Sequence, residues 1–255
     1  MRLFVFLLVI AAAWQGSAQT ITVAAAADLS AALNDLAVRY QHDTGREMKL
    51  SFGASGSLTT QIRNGAPFDI FFSADEDYPK QLIEAGFAER DSLYRYAVGH
   101  LVLWVPASSA LSIGDNGVGI LLDPSVRKIA IANPQHAPYG RAAEVVLRHT
   151  NLYDKVRNKL VIAENVSQAA QFVESGNAQV GFIALSHAIA PQMRDKGRYW
   201  EIPKDNYPAL NQAAVMLSHS AHKTDAAEFM EYLKSPVAKE VLRRYGFGDP
   251  EAAHP

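Results

Sequence analysis

The 255-residue chain has no cysteine, which excludes disulfides, thiolate metal centres and a lipid-modified cysteine at an export cleavage point. It has almost no net charge: 24 Lys and Arg against 26 Asp and Glu leave −2, with no basic cluster. That balance argues against nucleic acid or an anionic membrane as partner. No apolar run is long enough to span a bilayer as a helix, and no low-complexity tract or internal repeat stands out. The eight histidines are scattered, with no His-Glu-x-x-His spacing to bind a metal. A P-loop lysine is missing too, since Thr59 and Thr60 stand where a Gly-Lys-Ser/Thr ending would be sought. Gly53-Ala-Ser-Gly-Ser57 is not a G-x-S-x-G nucleophile elbow either, because its second glycine comes one residue early.

What is present begins with an export signature. Met1–Ala13 has a positive tip and a short apolar run, and Gly16-Ser-Ala18 follows with small residues, so residues 1–18 read as a signal peptide cleaved after Ala18. An exported, cysteine-free chain is expected in a bacterial periplasm, soluble and monomeric. Its apolar fraction of 49% is enough for real cores.

Beyond the signal the pattern alternates strand and helix. Ile21–Ala25 reads as a strand, and Leu29, Ala32, Leu33, Leu36, Ala37 and Tyr40 take the spacing of one apolar helix face ending near Gly45. Strand 48–52, a small-residue turn, a helix, strand 68–73 and a helix at 79–85 continue the series. Residues 96–106 form a long β-prone run that leaves the first domain for a second. There strand 128–132, helix 142–149, strand 160–163, helix 167–174 and strand 180–184 repeat the alternation. A second extended segment, 199–217, carries the chain back, and helices 223–234 and 237–245 pack on the first domain. The expectation is an α/β fold of two lobes, each a mostly parallel sheet flanked by helices. Residues 19–98 plus 206–255 form lobe 1, residues 99–205 form lobe 2, and two extended crossings make a hinged cleft.

Four turns follow predicted strands and open helices: 26–30, 53–57, 138–142 and 164–168. A helix N-terminus carries unpaired N–H groups and the positive end of the macrodipole, so it receives an anion without a formal cation. Any one such turn is ordinary, because capping residues precede most helices. Two from each lobe, facing one cleft at the carboxyl ends of the strands, form a candidate oxyanion site.

The motifs Thr22–Leu29, Leu50–Ser57, Gly65–Asp75, Ile131–Gly140, Val180–Ile183 and Arg244–Phe247 span essentially the whole exported chain. Taken together they resemble the periplasmic molybdate-binding proteins that feed ABC importers, within the type II class of periplasmic solute-binding proteins. The resemblance implies a binding protein, not an enzyme, that uses no cofactor. It implies capture of molybdate or tungstate, the only form in which a metal would be bound, and delivery to an ABC-transporter permease without membrane insertion. It also implies that the anion is held by Ala27, Asp28, Ser55, Tyr139 and, through its backbone N–H, Val166. Two departures stand out. Some members place a tyrosine just after strand 180–183, where this chain has Ala184, and Tyr139 compensates. Others carry Ser or Thr-Asn where this chain has Asp28.

A carboxylate about 4 Å from an anion is repelled by about 4 kcal/mol per unit charge at an effective dielectric of about 20. Three arrangements relieve this. Asp28 can cap its own helix by accepting from Ser30 or Ala31, the arrangement favoured here, with pH-insensitive binding as the consequence. It can accept a proton from the ligand, which would select an anion such as phosphate. Or Arg141 or Arg63 can neutralise it, although Arg141 reads as a solvated residue of its helix. An exported hydrolase with Ser55 as nucleophile is the alternative of a different class, and Asp28 or His136 would have to be its base.

Overall fold

The computed structural model describes residues 20–250, so the expected signal segment lies outside the described residues. In chain order the elements are β1 (Ile21–Ala26), α1 (Ser30–Thr44), β2 (Met48–Gly53), α2 (Ser55–Arg63), β3 (Ile70–Ser73), α3 (Asp77–Glu84) and β4 (Tyr94–Gly99). Then come β5 (Leu101–Pro106), α4 (Ile113–Asn116), β6 (Ile129–Ala132), α5 (Pro138–His149), α6 (Tyr153–Val156), β7 (Leu160–Ala163), α7 (Val166–Glu174) and β8 (Val180–Ala184). The chain closes with α8 (Leu185–Ala188), β9 (Gly197–Glu201), β10 (Leu210–Met216), α9 (Lys223–Leu233) and α10 (Pro236–Arg244).

These strands form two five-stranded sheets, ordered β2-β1-β3-β10-β4 and β7-β6-β8-β5-β9. β2, β1 and β3 are parallel in the first sheet, and β10 runs antiparallel between β3 and β4. In the second, β7, β6 and β8 are parallel and β5 runs antiparallel between β8 and β9. Four of five strands in each sheet therefore share a direction, the mostly parallel arrangement expected of α/β lobes.

Both faces of each sheet are covered, and the strand periodicity shows how. Val23 and Ala25 of β1, with Ile70 and Phe72 of β3, enter the core shared with α1, α9 and α10. Ala24 and Phe71, one residue out of phase, enter a separate core with Leu58, Ile62 and Leu82 of α2 and α3. β5 is central in the second sheet, and its run Leu101–Val105 is wholly buried. Burial on both faces explains why it reads as a continuous apolar stretch rather than an alternation.

Each of the two extended segments is divided between two strands. β4 and β5 lie in different sheets, separated by His100 alone, with Asn211 pairing Val98 and Ala184 pairing Leu101. The segment 199–217 is broken by a 3-10 turn at Lys204–Asn206 between β9 and β10. The two crossings are tied together by the Leu101 N–H, which donates to the Tyr207 hydroxyl at 3.1 Å. Local β-propensity is the same on either side of His100, so that change of sheet is a tertiary choice, whereas Pro203 and Pro208 flank the second break in the sequence itself.

Candidate functional site

Where the carboxyl ends of β1, β2 and β3 meet the first turns of α5 and α7, the two sheets enclose a small cavity. Its walls include Ala27, Asp28, Ser55, Tyr139 and Val166. All five residues singled out in the sequence thus line one cavity. It is assembled from turns that are distant in the chain.

Each turn is shaped to present donors. α2 begins at Ser55 without a side-chain cap, so its first N–H groups have no intrahelical partner. The Ser55 hydroxyl oxygen accepts from the Ala74 N–H at 3.0 Å, which fixes the side chain and leaves its proton to donate. α5 begins at Pro138, whose missing N–H costs nothing at a first helical position. Tyr139 follows it, and burial pushes the phenol well above its ordinary value, so it stays a neutral donor. α7 begins at Val166, and the Asn165 side chain caps it by accepting from the Gln168 N–H at 3.0 Å.

Asp28 takes neither of the arrangements expected of it within the protein, a helix cap or pairing with an arginine. Neither the 3-10 turn it occupies nor α1 carries a side-chain cap. Its Oδ2 instead accepts from Gln212 Nε2 at 2.6 Å, while Oδ1 is buried without a hydrogen-bond partner. Burial pushes the carboxyl up to about 6, outweighing Gln212, Tyr139 and its own backbone N–H, which all favour the charged form. Arg141 is not the neutralising cation, although 40% of its side chain stays exposed to solvent. It pairs with Asp75 and donates to the Tyr78 hydroxyl at 3.2 Å. Asp75 also accepts from the Tyr78 N–H at 3.2 Å, at the start of α3. Arg63 lies exposed on α2.

The residues that support Asp28 are ones that the sequence did not single out. Gln212 is fully buried in β10, and its Oε1 accepts from the Tyr96 hydroxyl at 2.6 Å. Its Nε2 also lies 3.3 Å from the Tyr139 hydroxyl. Ser186 of α8 donates to the Asp28 carbonyl at 2.7 Å, and Ser167 of α7 donates to the Ala27 carbonyl at 3.2 Å. His187 Nε2 lies 2.6 Å from the Ser167 hydroxyl. Burial pulls His187 down to about 4, so the ring is neutral and the network assigns its proton to Nε2, donating to Ser167. The second sheet's helices therefore hold the backbone of the first sheet's turn from behind. A glutamine inside the apolar run 210–216, and a Ser-His pair following an apolar strand, were the available signals, since buried polar residues in such runs are nearly always hydrogen-bonded.

Gly56 sets how closely the two lobes approach. Its N–H donates across the cleft to the His136 carbonyl at 2.8 Å. A Cβ there would stand 2.9 Å from that carbonyl oxygen and 2.5 Å from the Tyr78 hydroxyl. Gly56→Ala is expected to cost about 1–3 kcal/mol of closure, weakening ligand binding roughly 5- to 150-fold. The melting temperature without ligand should fall by less than the affinity loss implies, because the contact with His136 vanishes once the lobes part and only the Tyr78 side chain of the same lobe must still move aside. A large drop in melting temperature with unchanged affinity would show that Gly56 belongs to the core instead.

Two α/β lobes closing on a buried cavity walled by helix N-termini define a solute-binding protein. The sequence profile of the family described as bacterial extracellular solute-binding protein matches residues 21–248, and the chain belongs to that family. Within it, the chain is 38% identical over 231 residues to the molybdate-binding protein ModA of Azotobacter vinelandii, covering 91% of this chain and 90% of that one. It is 37% identical over 240 residues to ModA of Rhodobacter capsulatus, covering 94% and 92%. The solved structure of the Azotobacter vinelandii periplasmic molybdate-binding protein superposes with a TM-score of 0.86 at 37% identity, over 91% of this chain and all of that one.

Proposed function

We propose that this protein captures molybdate, and tungstate of nearly the same size, in the cavity between its lobes and delivers it to the permease of an ABC transporter. The observation that carries the reading is the convergence of Ala27, Asp28, Ser55, Tyr139 and Val166 on one cavity with no cation in its wall. Such a site suits an anion held by neutral donors and helix N-termini rather than by charge pairing. The relatives named above are molybdate-binding proteins, which supports the choice of anion. Among the described residues lobe 1 takes 20–98 plus 206–250 and lobe 2 takes 99–205, and the binding protein acts as a monomer in the periplasm. Among the described residues no helix is long and apolar enough to cross a membrane.

The binding reading is favoured over hydrolysis because the Ser55 hydroxyl is engaged by the Ala74 N–H, and the nearby Asp28 carboxyl is engaged by Gln212. Among the described residues no hydrogen bond joins the Ser55 hydroxyl to a base. Calorimetric titration with molybdate, tungstate, sulfate and phosphate tests the assignment. Molybdate and tungstate should bind tightest, with sulfate rejected because it is too small to meet donors from both lobes at once. Ser55→Ala removes one donor to a charged ligand, so molybdate affinity should fall by about 1.5–3 kcal/mol, roughly ten- to a hundredfold. An unaltered dissociation constant would place Ser55 outside the site.

A further inference from the structure

Asp28 is the one carboxyl group in the cavity wall among the described residues, and its two oxygens are unequal. Oδ2 is occupied by the Gln212 amide, whereas Oδ1 is buried and has no partner. If both Asp28 and a fully deprotonated oxyanion were charged, Oδ1 and the anion would meet as two acceptors with no proton between them. No nearby group supplies a positive charge, and the Tyr139 phenol offers the carboxyl only a neutral O–H donor. From α5 and β4, Tyr139 and Tyr96 face the carboxyl, and burial holds both phenols well above their ordinary value and hence neutral. From β10 comes the uncharged Gln212. From α8 comes His187, neutral and bound to Ser167 of α7. Arg141 of α5 is engaged by Asp75.

We propose that Asp28 is the specificity-determining proton carrier of this site: in the complex its carboxyl is a neutral acid that donates the Oδ1 proton to a fully deprotonated tetrahedral oxyanion, so one proton enters the protein with each anion. This rests on the oxyanion reading above. The proton comes from solvent, and no bond of the ligand is made or broken. Burial already pushes Asp28 up to about 6 before an anion arrives, and a neighbouring negative charge pushes it further in the same direction. The sign follows from linkage. Above about pH 6 the ligand-free carboxyl is mostly ionised and the bound one protonated, so affinity falls as pH rises. The device is selective as well, because a buried O–H donor is satisfied only by a ligand that presents an acceptor at that point.

The test is calorimetric titration of the whole protein with sodium molybdate between about pH 7 and 8.5, in buffers of different ionisation enthalpy. The expected result is uptake of about one proton per anion and a dissociation constant that weakens about tenfold per pH unit. Asp28→Asn should abolish the uptake and flatten the pH dependence. A second readout uses the wild-type protein alone: infrared difference spectra on adding molybdate at about pH 8 should show the C=O band of a carboxylic acid appearing as a carboxylate band is lost. Molybdate binding with no proton uptake and no such band would overturn the proposal while leaving the oxyanion reading intact. Uptake that persists in Asp28→Asn would also overturn it. Failure of the wild type to bind molybdate or tungstate at any pH tested would instead overturn the reading on which it rests.

Discussion

Gln212→Leu is expected to destabilise the protein by about 3–4 kcal/mol at neutral pH. The side chain is completely buried and serves three groups at once: the Asp28 carboxylate, the Tyr96 hydroxyl and the Tyr139 hydroxyl. Leucine fills the volume but leaves polar groups without partners, and each buried orphan costs about 1–3 kcal/mol. Asp28 limits the damage by taking up a proton. Removing a donor to the charged form raises a carboxyl that already stands at about 6, and neutralising it at pH 7 costs only about 1.4 kcal/mol. Part of the penalty should therefore disappear near pH 5, where Asp28 is protonated in both proteins. Urea unfolding at the two pH values measures this through the midpoint at constant slope. A variant as stable as wild type at pH 7 would show that the Gln212 amide does not hold the carboxylate. Tyr96 keeps a second acceptor in the Ser73 carbonyl at 3.1 Å, so the larger share of the loss is expected at the Asp28 end.

Asp28→Asn is expected to act in the opposite direction, raising stability at pH 7 by up to about 3 kcal/mol. The folded carboxyl is raised from 3.8 to about 6, so the native state holds its proton more tightly than the unfolded chain does. Asp28 therefore contributes fully below pH 3.8, and that contribution is lost as pH rises through about 6. The loss amounts to about 1.4 kcal/mol for each pH unit that separates the two values. Asparagine has nothing to ionise and escapes the loss. Opening of the cleft rehydrates the carboxyl, which makes the figure a ceiling reached when the lobes stay closed. In thermal scans of the ligand-free protein the gain should be several degrees at pH 7 and should vanish near pH 4. Equal stability of the two proteins at pH 7, or a gain that persists unchanged in acid, would show that Asp28 is not desolvated in the native state.

Asp28 also marks how far the sequence reaches. The four turns that wall the cavity were legible because each lies between a predicted strand and a predicted helix, where backbone donors are exposed whatever packs around them, and the choice of five residues within them came from the family resemblance. The roles of Asp28 and Arg141 were not legible. Sequence spacing places Ser30 and Ala31 within capping distance of Asp28, yet its partner is Gln212, 184 positions away in the chain. Arg141 reads as solvated because it stands in a first helical turn, and it is taken up by Asp75 from the other lobe. His187 and Ser167 look like unrelated polar residues until α7 and α8 are seen to buttress the Ala27 carbonyl.

By itself the sequence determined the alternation of strands and helices, the apolar face of each and the small-residue turns, because hydrophobic period, capping and backbone freedom act over a few residues. Only the tertiary structure decided that β4 and β5 part company at His100, that β10 inserts antiparallel between β3 and β4, and that a buried glutamine rather than a helix terminus receives the Asp28 carboxylate. Those outcomes depend on which surfaces meet when two lobes close. Desolvation and partner choice are properties of the assembled volume, and a carboxyl's proton affinity is set by that volume rather than by its neighbours in the chain.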